Sequence, residues 1–211
     1  MKSLLSLAHS LPYAIPIFFI LLNPVSATAS TTCTLPPAPT SAPGVFPLSA
    51  LPDYYYQPPA DLSSADQLSI QVSESQIRNK LSFWSLAVDG KDFDGFDYLF
   101  TEDVLIDFSN PVGVVKGVAN VKEAVRGAFE GFETHSLLGT QVIKVYGNNT
   151  CTASSLTYFT TNFYGTGDQE GKSAYTTGQF RDRWYQNEDG EWFITLRLTV
   201  FIDVVGDLEF H

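Results

Sequence analysis

Basic residues are scarce in this chain: twelve Lys and Arg stand against 23 Asp and Glu, for a formal net charge of −11. A surface this acidic repels phosphate backbones and anionic bilayers, which argues against nucleic acid or a charged membrane as partner. Metal-ligating side chains are few and scattered. The three histidines are His9, His135 and His211, and the two cysteines are Cys33 and Cys151, with no ligand spacing among them, so no metal site is expected. The acidic group Asp92, Asp94, Asp97, Glu102 and Asp103 lacks the glycine-centred spacing of a calcium loop. Gly113 and Gly117 lack the strand-then-helix setting of a dinucleotide site. Long apolar runs are missing after Ile15–Leu22, and that run falls short of the about 20 residues a membrane span needs.

What is present begins with an address. Lys2, the apolar run IPIFFILL and the small residues up to Ala29 form the three regions of a secretory signal peptide over residues 1–29. Export to the secretory lumen or the exterior is the resulting expectation. Losing the leader removes Lys2 and no acid, which takes the charge from −11 to −12. In an oxidising compartment Cys33 and Cys151 read as a disulfide, worth roughly 3–5 kcal/mol in the chain-entropy model, with two free thiols as the alternative. Asn148, in Asn148-Asn149-Thr150, becomes a glycosylation acceptor in the same compartment, either occupied or vacant.

Residues 30–72 are rich in Pro, Ala and Ser, with LPPAPTSAPG and YYYQPP, a composition that blocks helix and central strand and predicts an extended arm. One domain, 73–211, follows. Ser73 with Gln76 reads as a capping box, and Ile77, Leu81, Trp84 and Val88 repeat at helical spacing. Phe93, Phe96 and Phe100 mark a short second helix, Val104–Phe108 a strand, and Gly117 precedes a third helix through Val121, Val125 and Phe129. After His135 the chain turns rich in Thr, Tyr, Phe and Val. Strands are expected at 141–146, 152–164, 173–185 and 192–205, separated by Gly- and Asn-bearing turns. Helices first and strands afterwards predict an α+β fold: a strongly curved, mostly antiparallel sheet with helices on one face, closing into a cone whose mouth suits a ligand.

The order of these pieces carries a family resemblance. Asp89-Gly90-Lys91-Asp92-Phe93-Asp94 ends the first helix, and Leu99-Phe100-Thr101-Glu102-Asp103 enters the first strand. Thr134-His135-Ser136-Leu137-Leu138-Gly139 and Asp189-Gly190-Glu191-Trp192 follow. Together they resemble a SnoaL-like domain of the nuclear-transport-factor-2-like superfamily, in the branch containing scytalone dehydratase and bile-acid dehydratase. The resemblance spans about Glu74 to Thr199. It implies a cone-shaped α+β barrel, a homodimer or homotrimer, and enzymes that need no metal or organic cofactor.

The same resemblance places His135 at a catalytic histidine and Asp89 at the acid that orients it. Imidazole titrates near neutrality, as proton transfer beside a carbonyl requires, and a neighbouring acid fixes its tautomer. The departures are specific. Val88 and Phe108 stand where the scytalone dehydratase pattern has tyrosines, a second histidine gives way to a residue near Thr160, with Tyr158 and Asn162 on its strand face, and Arg181 falls near an asparagine. Trp84, Val88, Phe108, Tyr158, Thr160 and Arg181 are accordingly the candidate substrate contacts. Asp89 also continues a polar stripe with Arg78, Ser82 and Ser85, and Asp182 between Arg181 and Arg183 reads as a sheet ion pair.

Two functions follow. One is a cofactor-independent dehydratase, cyclase or isomerase acting on a small lipophilic metabolite of polyketide or terpenoid type, with His135 as acid/base. The other is a non-catalytic secreted module that binds such a molecule or a partner on the same cone, which the missing tyrosines and second histidine favour.

Overall fold

The computed structural model describes residues 33–34, 62–109, 112–146 and 151–207. The signal-peptide and Asn148 expectations fall outside these residues, as does most of the Pro-rich arm expected over 30–72. Of that arm Cys33, Thr34 and 62–72 are described, and 64–72 are helical rather than extended, because the Pro-free run after Leu62 carries its own helix cap. Helix α1 spans Ser64–Asp89, ten residues longer at its start than the Ser73 capping box predicts. The cap is Ser63, whose Oγ accepts from the Asp66 amide and donates to the Asp66 carboxylate. The first bond is the N-cap half of a capping box, while the Asp66 carboxylate takes the Ser63 hydroxyl proton rather than the Ser63 backbone N–H. Ser73 is instead a buried residue inside the helix. A short 3-10 turn over Asp94–Tyr98 replaces the expected second helix: of the three aromatic anchors only Phe96 lies within it, Phe93 being its N-cap and Phe100 the first residue of the following strand.

Strand β1 (Phe100–Asp107) pairs antiparallel with β2 (Val114–Lys116), a three-residue strand too short for the pattern to reveal. Helix α2 (Val118–Phe129) starts after Gly117, whose φ of 83° is open to glycine at little cost. Four long strands complete the chain: β3 (Phe132–Val145), β4 (Thr152–Gly165), β5 (Ser173–Gln186) and β6 (Trp192–Gly206). β3 begins nine residues before the expected position, since Phe132, Thr134, Ser136 and Leu138 already alternate with exposed neighbours. The sheet order is β2-β1-β6-β5-β4-β3, with β1 parallel to β6 and every other pair antiparallel. The α+β architecture with a curved sheet is the one the sequence predicts.

Register shifts between Leu138 and Gln141, Thr177 and Gly178, and Arg183 and Trp184 interrupt the ladders. Bulges of this kind bend a sheet, and here the bend wraps it around the helices. The concave face holds one continuous core of Ile77, Leu81, Trp84, Phe96, Val104, Val121, Trp184 and Ile194 among others. Trp84 stacks on Phe96 at 4.9 Å between ring centres and meets Phe100 edge-on at 5.8 Å. Such pairs add about 0.5–1.5 kcal/mol each beyond area burial and fix where α1 lies.

Cys33 and Cys151 form a disulfide with a Cα–Cα distance of 5.7 Å. The Tyr185 hydroxyl also donates to the Cys33 carbonyl at 3.0 Å. Two points therefore fix the segment around Cys33 against the β4–β5 end of the sheet.

Candidate active site

A cavity of about 280 Å³ opens between the helices and the concave face. Helix α1 contributes Trp84 and Val88, and Phe108 follows directly on β1. Helix α2 contributes Val125 and Phe129 together with Ala124 and Ala128, whose small side chains leave the space. The sheet adds Phe159, Phe163, Phe180 and Phe201, and four hydroxyl residues: Ser136, Thr161, Thr176 and Thr199. Val112, Phe201 and Val204 line the cavity and are themselves substantially exposed, which marks the rim. Aromatic walls with a few placed polar groups are the usual make-up of a small-molecule site.

One wall depends on a glycine. Gly178 lies directly opposite Phe159 on the neighbouring strand. A Cβ there would come within 2.6 Å of the Phe159 ring and 2.5 Å of the Val200 carbonyl oxygen. Without it the ring lies flat over β5 and stacks on Phe180 at 4.2 Å, the planes 15° apart.

Asp89, at the C-terminal end of α1, is half-buried. A carboxylate there opposes the helix dipole, so it needs donors from elsewhere. Ser136 supplies both: its backbone N–H donates to Oδ2 at 2.8 Å and its hydroxyl to Oδ1 at 2.9 Å. The Ser136 Oγ lies 3.3 Å from Thr161 Oγ1 on the adjacent strand. The expected Asp89–His135 pair is not formed. His135 is exposed on the opposite face of β3, because successive side chains of a strand point to opposite sides and Ser136 takes the inward one.

The same alternation places the other candidates. Trp84, Val88 and Phe108 line the cavity. Tyr158 and Thr160 alternate with the cavity-lining Phe159 and Thr161 and so face outward. Arg181, next to the cavity-lining Phe180, also faces outward and is buried there, with Nε and an Nη donating to Gln179 Oε1 at 3.1 and 3.0 Å. Asp182 does form an ion pair, but with Arg197 directly across on β6 rather than with Arg181 or Arg183. That pair is fully buried beneath the cavity, the guanidinium 4.3 Å from the Phe180 ring and 4.8 Å from Trp84.

Sequence reasoning missed Ser136, Thr161, Thr176 and Lys91. The first was legible: anchoring the alternation of β3 on Phe132 puts 134, 136 and 138 inside and 135 outside. Lys91 sits at φ 58°, its Nζ donating to Thr134 Oγ1 at 3.2 Å and to the Val88 carbonyl at 3.4 Å. Burial lowers its pKa from the usual lysine value, with Glu133 and Asp89 opposing that shift. Among the described residues no group of three or more His, Cys, Asp or Glu is placed to hold a metal ion.

The SnoaL-like domain profile matches residues 72–197. Similar solved structures include a putative scytalone dehydratase from Novosphingobium aromaticivorans, 17% identical with a TM-score of 0.60, covering 69% of this chain and 93% of that one. The hexachlorocyclohexane dehydrochlorinase LinA-type3 from Novosphingobium barchaimii is 11% identical with a TM-score of 0.58, covering 69% and 97%. ActVI-ORFA from Streptomyces coelicolor is 13% identical with a TM-score of 0.51, covering 61% and 96%. At these identities the likeness is one of fold. No curated protein matches the chain in sequence.

Proposed function

The chain belongs to the SnoaL-like domain family, and from that premise we propose that it binds a small, largely apolar molecule in the cavity between its helices and its sheet. The observation that carries this reading is the make-up of the walls: rings and aliphatic side chains broken only by four hydroxyls, with Asp89 already satisfied by Ser136. With His135 turned outward, no imidazole of the described residues reaches the bound molecule. This favours binding over acid/base turnover by a His–Asp pair. Secretion fits the same reading and is supported by the Cys33–Cys151 bridge, since disulfides persist in oxidising compartments. Assembly as a homodimer or homotrimer remains part of the proposal.

A second reading keeps catalysis. Asp89 lies directly behind Ser136 on the cavity wall, so proton transfer in a dehydration, cyclisation or isomerisation would run through that hydroxyl without any cofactor.

Titration calorimetry with 2-methylnaphthalene tests the binding site. About ten non-hydrogen atoms at roughly 0.5 kcal/mol each give a Kd on the order of 10⁻⁴ M. Ala124→Trp fills the cavity and should abolish binding in a protein that still unfolds cooperatively, while His135→Ala should bind as the parent does. Equal binding in the parent and the Ala124→Trp protein would remove the cavity as the site. Metabolites captured from an extract and recovered chemically changed by the parent but not by Asp89→Asn would establish the catalytic reading instead.

A further inference from the structure

Ser136, Thr161 and Thr176 stand directly opposite one another across β3, β4 and β5, in the register Ser136↔Thr161 and Thr161↔Thr176. All three line the cavity. Directly opposed residues on one face lie about 4.5–5.5 Å apart, so the three hydroxyls form a polar row across an otherwise apolar wall. A hydroxyl has one proton to give and two lone pairs to offer, so where each proton goes decides what the row shows to a ligand.

The protons can be followed from Asp89. An ionised carboxylate only accepts, so the 2.9 Å contact between Ser136 Oγ and Asp89 Oδ1 uses the Ser136 proton. Ser136 Oγ must then accept in its 3.3 Å contact with Thr161 Oγ1, which uses the Thr161 proton. Thr176 Oγ1 donates to the Asp203 carbonyl at 3.1 Å, which uses the third. We propose that the row Ser136–Thr161–Thr176 presents only hydrogen-bond acceptors to the cavity. The site would thereby select an apolar molecule whose polar edge carries O–H or N–H groups over one whose edge carries only carbonyl or ether oxygens. Asp89 is then a positioning residue: it touches no ligand and sets the direction of the hydroxyls through Ser136. Thr199 supplies the contrast. Its Oγ1 is buried without a partner on β6, so its proton is not committed to the row.

This inference rests on the cavity being the binding site, and the test separates the two. Three probes of nearly equal size are titrated calorimetrically: 2-naphthol carries a donor, 2-methoxynaphthalene an acceptor only, and 2-methylnaphthalene neither. The parent protein should bind 2-naphthol roughly five- to tenfold more tightly than 2-methoxynaphthalene, the worth of one buried hydrogen bond made or left unmade. In Asp89→Asn the amide N–H₂ can donate to Ser136 Oγ and release the Ser136 proton toward Thr161, whose own proton then turns to the cavity. The preference should fall to parity or invert, with 2-methoxynaphthalene gaining affinity. Ser136→Ala removes the acceptor of the Thr161 proton, which then turns to the cavity, so the preference should likewise fall to parity or invert; it serves if Asp89→Asn does not fold. Equal binding of all three probes by the parent overturns the row and leaves the cavity standing, as does a preference that both variants retain. Binding of none of the three overturns the cavity as well.

Discussion

The buried pair under the cavity floor allows a sharp energetic test. Asp182 and Arg197 have no exposed side-chain surface and meet through two contacts, Nε–Oδ1 at 2.7 Å and Nη2–Oδ2 at 3.0 Å. Ser155 Oγ, 3.4 Å from Asp182 Oδ2, accepts in turn from Trp184 Nε1 at 2.9 Å. Asp182→Leu leaves a guanidinium without a counter-charge in a dry site. The rings of Phe180, Trp84 and Phe100 lie 4.3, 4.8 and 5.6 Å from its centre and soften the loss. They cannot accept its in-plane N–H bonds. Arg197→Met leaves the carboxylate alone. Each single substitution should cost about 3–5 kcal/mol, the usual penalty for an orphaned buried charge, or a fall in Tm of roughly 6–20 °C at this size. The double substitution removes both charges and replaces them with apolar volume, and should come within about 1–2 kcal/mol of the parent. Urea unfolding of all four proteins, with m-values compared, reads the cycle. Single costs below about 1 kcal/mol, or a double cost equal to the sum of the singles, would refute the claim that unpaired charge dominates.

Gly178→Ala should lower stability by about 1–3 kcal/mol and weaken ligand binding, because the new methyl meets the fixed Val200 carbonyl and displaces Phe159 into the cavity; chemical denaturation and the probe titration read both. Lys80 is buried beneath the Tyr98 and Phe193 rings, donates to the Tyr98 carbonyl, and has its pKa lowered to about 8 by burial, with Glu191 opposing. The folded state thus loses the Lys80 proton before the unfolded chain does, so stability relative to Lys80→Met should rise between about pH 8 and 10.5. After discounting for solvent screening the gain is about 1–2 kcal/mol, and a flat difference across that window in paired melts would contradict it. Replacing Cys33 and Cys151 together by Ser opens a loop of 118 residues. It should cost up to about 5 kcal/mol, measured against the oxidised parent in non-reducing denaturation.

Much of the architecture was readable because it follows from local periodicity. The Ile77, Leu81, Trp84 and Val88 spacing forces a helix with one apolar face, and the Thr-, Tyr- and Val-rich runs between Gly and Asn turns force long hairpins. The lining roles of Trp84 and Val88 follow from that face directly. What failed was the assignment of sides. His135 and Ser136 are adjacent, and a one-residue choice of strand phase decides which faces the ligand. Tyr158, Thr160 and Arg181 were placed on the wrong side for the same reason, and Asp182 found its partner 15 residues away, across a hairpin, rather than next to it. The extra turns of α1 rested on Ser63 and Asp66, a cap that the Ser73 signal concealed.

The sequence by itself determined the kind of fold, the family and the apolar character of the wall, since composition and period need no partner to act. Tertiary structure decided which polar atoms meet in that wall. Asp89 could look for a donor from any strand, and only the register of β3 against β4, with its bulge after Leu138, brought Ser136 and Thr161 to it and carried His135 away. Pairing across strands is set by hydrogen-bond register and by the core beneath, neither of which is written in the neighbours of a residue.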